Sequence, residues 1–183
     1  MITTILLSDL HKYEIDKFYI LDASVLQPLC LRRKRKSSRL FIFRARIVNS
    51  ILSGKFKRGV ITNRVYRELD GIARKYDYSI FKKRISSLEE DENSLLYKIL
   101  ITPNYYEEYL RYSVIKALNE GERSCVIASL LTGIPKIVTD DETLFKPAVK
   151  NYIRNLYRRK YWKKMRTYFG VIDSRTLCYL ESL

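Results

Sequence analysis

The sequence predicts an α/β chain, a three-layer α/β/α sandwich around a mostly parallel central sheet, with one extra basic helical segment. Three observations predict it. Short β-branched and aromatic runs (KFYILD, GVIT, KILIT, KIVT, GVID) recur along the chain. Stretches of helical periodicity separate them, and that alternation builds a sheet covered by helices. One of those stretches, residues 122–131, is apolar almost all round, as a helix buried against a sheet must be.

In chain order, KFYILD (17–22) is the first strand, and a helix starts at Ser24. RRKRK (32–36) interrupts it, and a second helix covers 40–52. Gly54 and Gly59 bracket a turn, and GVIT (59–62) is a short strand. Residues 63–76 place Val65, Leu69, Ile72 and Tyr76 at helical spacing. A polar helix or two fills 79–95, including the acidic run EEDEN. KILIT (98–102) is a strand ended by Pro103, and 104–118 reads as one amphipathic helix with Tyr106, Leu110, Val114 and Leu118 on one face. The apolar helix stops at Gly133, KIVT follows as a strand, and 142–145 is a short helical turn. A long basic helix runs from Pro147 to about Tyr168, then GVID is the last strand and 174–183 the last helix. The 183 residues make one domain with a core that needs no staples. Residues 1–16 are an N-terminal extension and 146–168 a basic helical insertion before the last strand.

Composition narrows the function. Three widely spaced cysteines (Cys30, Cys125, Cys178) with no CxxC pair argue for reduced thiols and against a disulfide scaffold or zinc ribbon. No apolar run approaches the roughly 20 residues that span a bilayer. The ITTILL start is too short for a signal peptide and has no basic leader, so a soluble, cytoplasmic protein is expected. Lysine and arginine number 35 against 20 acids, a net charge of +15. The surplus is segregated: residues 23–67 hold 13 cations and no acid, and 143–172 hold nine and no acid. Such a field attracts polyanions. An acidic protein or a membrane surface would also answer it, but no apolar inserting face accompanies the charge, which favours nucleic acid.

Two motifs lead nowhere. LLSDLH (6–11) has the look of a phosphoesterase metal motif, but such sites need several histidines and His11 is the only one. That also excludes paired-histidine ribonuclease chemistry and a Ser-His-Asp triad. Arg64 and Arg67 could sit on a DNA-recognition helix, yet no partner helix is recognisable.

The carboxylates are more informative. In a parallel α/β sheet the strand C-terminal ends share one edge with the helix starts that follow. Asp22 ends KFYILD, Asp140 and Asp141 end KIVT, and Glu122 opens the buried helix where the dipole favours an anion. Glu68 falls about 90° from the centre of the Val65/Leu69/Ile72 face, at the border of core and solvent. Oxygen donors without histidine or cysteine suit Mg²⁺ or Mn²⁺, one or two ions, which would relieve the mutual repulsion. Individually each acid has a plainer reading: Asp22 as a helix cap, Glu122 as a dipole partner, Asp140 or Asp141 in an Asx-turn.

Taken in order, these segments resemble the PIN-domain nucleases. ILDASVL is similar to the family's D-x-S start, and VITNRVYREL to its second motif, a short strand and then a helix bearing glutamate. GERSCVIASLLTGIPKIVTDDETLF is similar to the third and fourth, and GVIDSRTL to the closing strand and helix. The resemblance covers about residues 18–183 and is thin between 71 and 119. It implies a PIN-like fold, divalent-metal-dependent phosphodiester hydrolysis, frequent homodimers, and an acidic site of Asp22, Glu68, Glu122 and Asp141. Asp140 stands close by as a further metal-binding candidate, and Ser24 and Thr139 are helpers. The third acid is a glutamate where the family often has aspartate.

The reading is therefore a metal-dependent nuclease, RNA favoured over DNA. The alternatives are a non-catalytic nucleic-acid-binding protein on a PIN-like scaffold, or the toxin of a toxin–antitoxin pair with an acidic antitoxin-like partner. Substrate would be held by Arg32, Arg33, Lys34, Arg35 and Lys36 and by Arg158, Arg159, Lys160, Trp162, Lys163 and Lys164. In the second block Tyr157, Tyr161, Trp162 and Tyr168 are interleaved with cations, which suits stacking on unpaired bases. Equally, those aromatics could pack on the sheet, and RRKRK could be a surface loop.

Overall fold

Each β-branched run pairs side by side with another, and every pairing is parallel. The strands are β1 (Thr4–Ile5), β2 (Tyr19–Leu21), β3 (Gly59–Thr62), β4 (Leu96–Ile99), β5 (Lys136–Val138) and β6 (Gly170–Ile172), in the order β1-β4-β3-β2-β5-β6. The computed structural model describes residues 4–6, 14–31, 38–56, 58–89, 96–161 and 169–183. From β2 the chain steps outward through β3 to β4, then returns to β5 on the other side of β2. The β2/β5 boundary is thus the switch point of a doubly wound sheet, where a crevice opens at the strand ends.

The helices are α1 (Ala23–Leu26), α2 (Arg39–Leu52), α3 (Asn63–Tyr76), α4 (Tyr78–Glu89), α5 (Pro103–Leu110), α6 (Ser113–Lys116), α7 (Glu120–Thr132), α8 (Pro147–Tyr161) and α9 (Ser174–Leu180). α2 packs against α4 and α9 on one side of the sheet, and α7 against α5, α6 and α8 on the other, which makes three layers. The predicted fold class therefore holds. α7 is the central element: it touches β2, β3 and β5 and buries ten residues, among them Val126, Ile127 and Leu130. Each large apolar side chain so buried contributes about 1.5–3 kcal/mol before entropy is counted.

Local signals set the ends of the elements near the site. Thr62 Oγ1 accepts from Val65 N at 3.1 Å, starting α3, and also meets Ser124 Oγ at 2.7 Å, tying β3 to α7. Gly133 ends α7 at φ 82°, the left-handed region that a side chain would strain.

Three expectations need correction, and one open alternative is decided. Residues 1–16 are not merely an extension, because Thr4–Ile5 pairs with β4 as an edge strand. The fourth strand lies two residues earlier than KILIT, since it pairs Leu96 with Gly59 and Ile99 with Thr62 and ends level with β3. Residues 104–118 form two helices, not one. The buried residues there are Tyr106, Tyr109, Ile115 and Leu118, and only a break at Arg111–Tyr112 turns both pairs inward. In α8, Tyr157 is 2% exposed and packs on Tyr161 and Phe169, while Tyr161 Oη donates to Leu130 O at 2.9 Å. Of the two readings the sequence left open for these aromatics, packing against the core holds for Tyr157 and Tyr161, rather than stacking on bases.

Candidate active site

At the C-terminal end of the β2/β5 boundary the fold gathers four carboxylates from four separate stretches of chain. Asp22 follows β2, Glu68 lies on α3, Glu122 on α7, and Asp141 follows β5.

Asp22 is the most firmly held. Its N–H donates to Val138 O at 2.9 Å, the last rung between β2 and β5. Its Oδ2 accepts from Ser24 Oγ at 2.7 Å, from Thr139 Oγ1 at 2.9 Å and more distantly from Ser24 N at 3.4 Å. The same hydroxyls accept from the next strand end: Ser24 Oγ from Asp140 N and Thr139 Oγ1 from Asp141 N, both at 3.1 Å. Ser24 and Thr139 therefore lock Asp22 to the start of the Asp140–Asp141 pair. Oδ1 is left facing α7, with the buried Cys125 thiol 4.0 Å away. Asp22 is only 3% exposed, and burial raises its carboxyl; the Ser24 and Thr139 hydroxyls oppose this, and the Asp141 charge adds to it.

Glu122 caps its own helix, the plainer role the sequence offered, and uses only one of its carboxylate oxygens to do so. Its N–H donates to Asn119 Oδ1 at 2.8 Å, and its Oε2 accepts from Asn119 N at 3.3 Å, a capping box that starts α7. Its other oxygen, Oε1, is buried without a hydrogen bond. A buried carboxylate oxygen without a well-formed hydrogen bond is costly, and a cation, a proton or a shift of the nearby Thr143 hydroxyl would relieve it. Burial raises the Glu122 carboxyl, the Asn119 N–H and, more weakly, the nearby Thr143 hydroxyl oppose that, and Asp141 and Asp22 raise it further.

Glu68 stands at the solvent rim, the border position expected from its helical angle. Its carboxyl is pushed up to about 7, first by desolvation and then by Asp22, Asp141, Glu120 and Glu122. Gly121 explains how it reaches the others. A Cβ at position 121 would lie 2.5 Å from Glu68 Oε2 and 3.4 Å from Asp22 Oδ1. The two oxygens are thus within about 6 Å of each other, the range in which one ionised group acts on the next. Asp141 is exposed and makes no capping bond to the turn that follows it, leaving its carboxylate available.

Asp140 does not join them. Its Oδ2 accepts from Arg44 Nε at 2.6 Å, and its Oδ1 accepts from both Ser174 N and Ser174 Oγ at 2.9 Å. Its sequence position offers an Asx-turn or a place beside the metal. Alternation along the strand end instead sends it to α2 and α9, where it holds Arg44 and the start of α9.

Among the described residues, no group of three or more acidic, histidine or cysteine side chains stands close enough together to hold a metal ion. The donor set nevertheless fits a hard divalent cation: oxygen only, an orphaned buried Glu122 oxygen, and a glycine cradle that keeps Glu68 and Asp22 close.

Of the predicted substrate-binding cations, Arg158, Arg159 and Lys160 are exposed at the end of α8, with Lys160 Nζ also donating to Tyr109 Oη at 2.6 Å. Arg32–Lys36 and Trp162–Lys164 lie outside the described residues, as does His11. Sequence reasoning missed Gly121, Asn119 and the placement of Arg64 and Arg67 beside Glu68. The signal for the first two was present in NEGE, a cap followed by a glycine between two acids at a helix start. No helix among the described residues is long and apolar enough to cross a membrane. No protein-family model matches the chain, and a search of curated proteins finds none similar to it.

Proposed function

We propose that this protein is a divalent-metal-dependent nuclease acting on nucleic-acid phosphodiesters, single-stranded RNA before DNA. The observation that carries the reading is the convergence of Asp22, Glu68, Glu122 and Asp141 at the switch point, with one Glu122 oxygen buried and unpartnered. Four mutually repelling carboxylates weaken the metal-free fold, and a cation is what makes their collection tolerable.

These four residues would hold Mg²⁺ or Mn²⁺, which when bound supplies Lewis acidity and an activated water for attack on phosphorus. The chain's own part is placement. Ser24 and Thr139 fix one Asp22 oxygen and aim the other, the Asn119 box fixes Glu122, and Gly121 admits Glu68. The basic excess of +15 draws the polyanion in, and the exposed end of α8 offers phosphate contacts.

The test is cleavage of end-labelled single-stranded RNA and DNA with Mg²⁺, Mn²⁺ or EDTA, by wild type and by Glu122→Gln. Cation-dependent cleavage that Glu122→Gln removes supports the reading. Salt-sensitive binding with no cleavage under any cation replaces it with a binding protein on the same scaffold.

A further inference from the structure

Beside the carboxylates, α3 and the start of α7 enclose an open cleft of about 530 Å³ lined by Arg64, Arg67, Glu68, Asn119, Glu120 and Gly121. It shares Glu68 and Gly121 with the candidate active site, so a group filling it lies next to the reacting bond. Arg64, Arg67 and Glu68 stand at i, i+3 and i+4, the spacing that puts three side chains on one side of a helix.

The two arginines are presented differently. Arg64 is placed: its guanidinium pairs with Glu120 and lies over the Tyr106 ring, 5.3 Å from the centroid. Arg67 is exposed and forms no ion pair among the described residues. Guanidinium groups offer planar forks that match phosphate oxygens, and a cation left unpaired beside an acidic cluster is suited to an anionic ligand arriving there. Arg64 stands one turn from Glu68, about 6 Å along the axis, a span comparable with one nucleotide of an extended strand.

We propose that this cleft is a phosphate subsite. Arg67 and Arg64 donate to the backbone phosphate adjacent to the scissile one, and so set which phosphodiester meets the carboxylates. This deepens the nuclease reading and rests on it for the word scissile. Glu120 competes with that phosphate for Arg64, so the incoming backbone displaces it.

The experiment has two arms. First, anisotropy of a labelled single-stranded oligoribonucleotide in EDTA is followed across a salt series for wild type, Arg64→Gln, Arg67→Gln and Glu120→Gln, each checked for a wild-type melting temperature. Arg67→Gln is expected to weaken binding about tenfold and to reduce the salt slope by about 0.7, the share of one single-strand contact. Glu120→Gln is expected to tighten binding several-fold. Second, cleavage with Mn²⁺ is measured on oligonucleotides carrying one neutral methylphosphonate, on a deoxy sugar, at successive linkages. One linkage next to the cleaved bond should cost wild type about as much as Arg67→Gln does, and cost Arg67→Gln nothing further, because both remove the same contact.

Wild-type affinity and slope in both arginine variants would overturn the proposal. So would methylphosphonate penalties that are identical in wild type and Arg67→Gln at every linkage. If no form cleaves while the EDTA results hold, the nuclease reading falls and a phosphate-binding cleft stands without it.

Discussion

Replacing Gly121 by alanine adds one methyl group to the first turn of α7, at 2.5 Å from Glu68 Oε2 and 3.4 Å from Asp22 Oδ1. Ordinary contact begins at 3.4 Å, so Glu68 Oε2 must retreat by about 0.9 Å. The atom that moves ends a flexible side chain, and the backbone can stay where it is. Stability and function should therefore separate. Alanine is the better helix former by up to about 1 kcal/mol, which for a chain of this size raises the melting temperature by about 2–4 °C. Cation binding responds in the other direction, because ligand distances tolerate only about 0.2 Å and a 1 Å misplacement costs on the order of a hundredfold in rate. Melting in EDTA, a Mn²⁺ titration and single-stranded RNA cleavage measure the three quantities on one preparation. The expected variant melts at or above wild type, binds Mn²⁺ at least about tenfold more weakly and cleaves 10- to 100-fold more slowly, as that misplacement implies. Wild-type Mn²⁺ affinity and cleavage in Gly121→Ala would refute the claim that this glycine exists to bring Glu68 and Asp22 together.

In EDTA, stability should fall as pH rises from about 4.5 to about 7, because Glu68 titrates at 4.5 when unfolded and about 7 when folded and the native state holds the extra proton between them. Melting against pH checks this: Glu68→Gln should flatten the fall, and Mn²⁺ affinity should rise over the same window as protons cease to compete. Asp140→Ala should cost about 2–3 kcal/mol in denaturant unfolding, since Arg44 loses its ion pair and keeps only Gln27 Oε1, and Ser174 loses its acceptor, whereas Asp141→Asn should leave stability at or above wild type and remove cleavage. Alanine at Arg158 and Arg159 should reduce the salt slope of RNA binding by about 1.4, two single-strand contacts; an unchanged slope would remove the end of α8 from the binding surface.

Much of this was legible in the sequence, and for identifiable reasons. GVIT and residues 63–76 stand where their β-branched and helical patterns put them, because short-range propensity and burial agree there. Asp22, Glu122 and the Asp140–Asp141 pair could be placed from strand ends and a helix start, since a parallel sheet brings those points to one edge; Glu68 came from its angle on α3, and the choice of Asp141 from the resemblance. The break at Arg111–Tyr112 was not legible, because Tyr106, Leu110, Val114 and Leu118 satisfy a continuous helix and only the neighbouring α7 selects Tyr109 and Ile115 for burial. The edge strand Thr4–Ile5 was hidden by its length, two residues being too few for any period. Asp140 and Asp141 are alike in sequence; only Arg44 from α2 and Ser174 from α9 tell them apart.

A carboxylate cluster that works as a metal site for phosphodiester cleavage must fail when Asp22 or Asp141 loses its charge. Cleavage of single-stranded RNA by wild type, Asp22→Asn and Asp141→Asn, with Mn²⁺ and with EDTA and at matched melting temperature, tests it most directly. Cleavage by wild type only with the cation, and its loss in both folded variants, is the expected result. Undiminished cleavage by a folded Asp22→Asn protein, or none by wild type under any divalent cation, would contradict it.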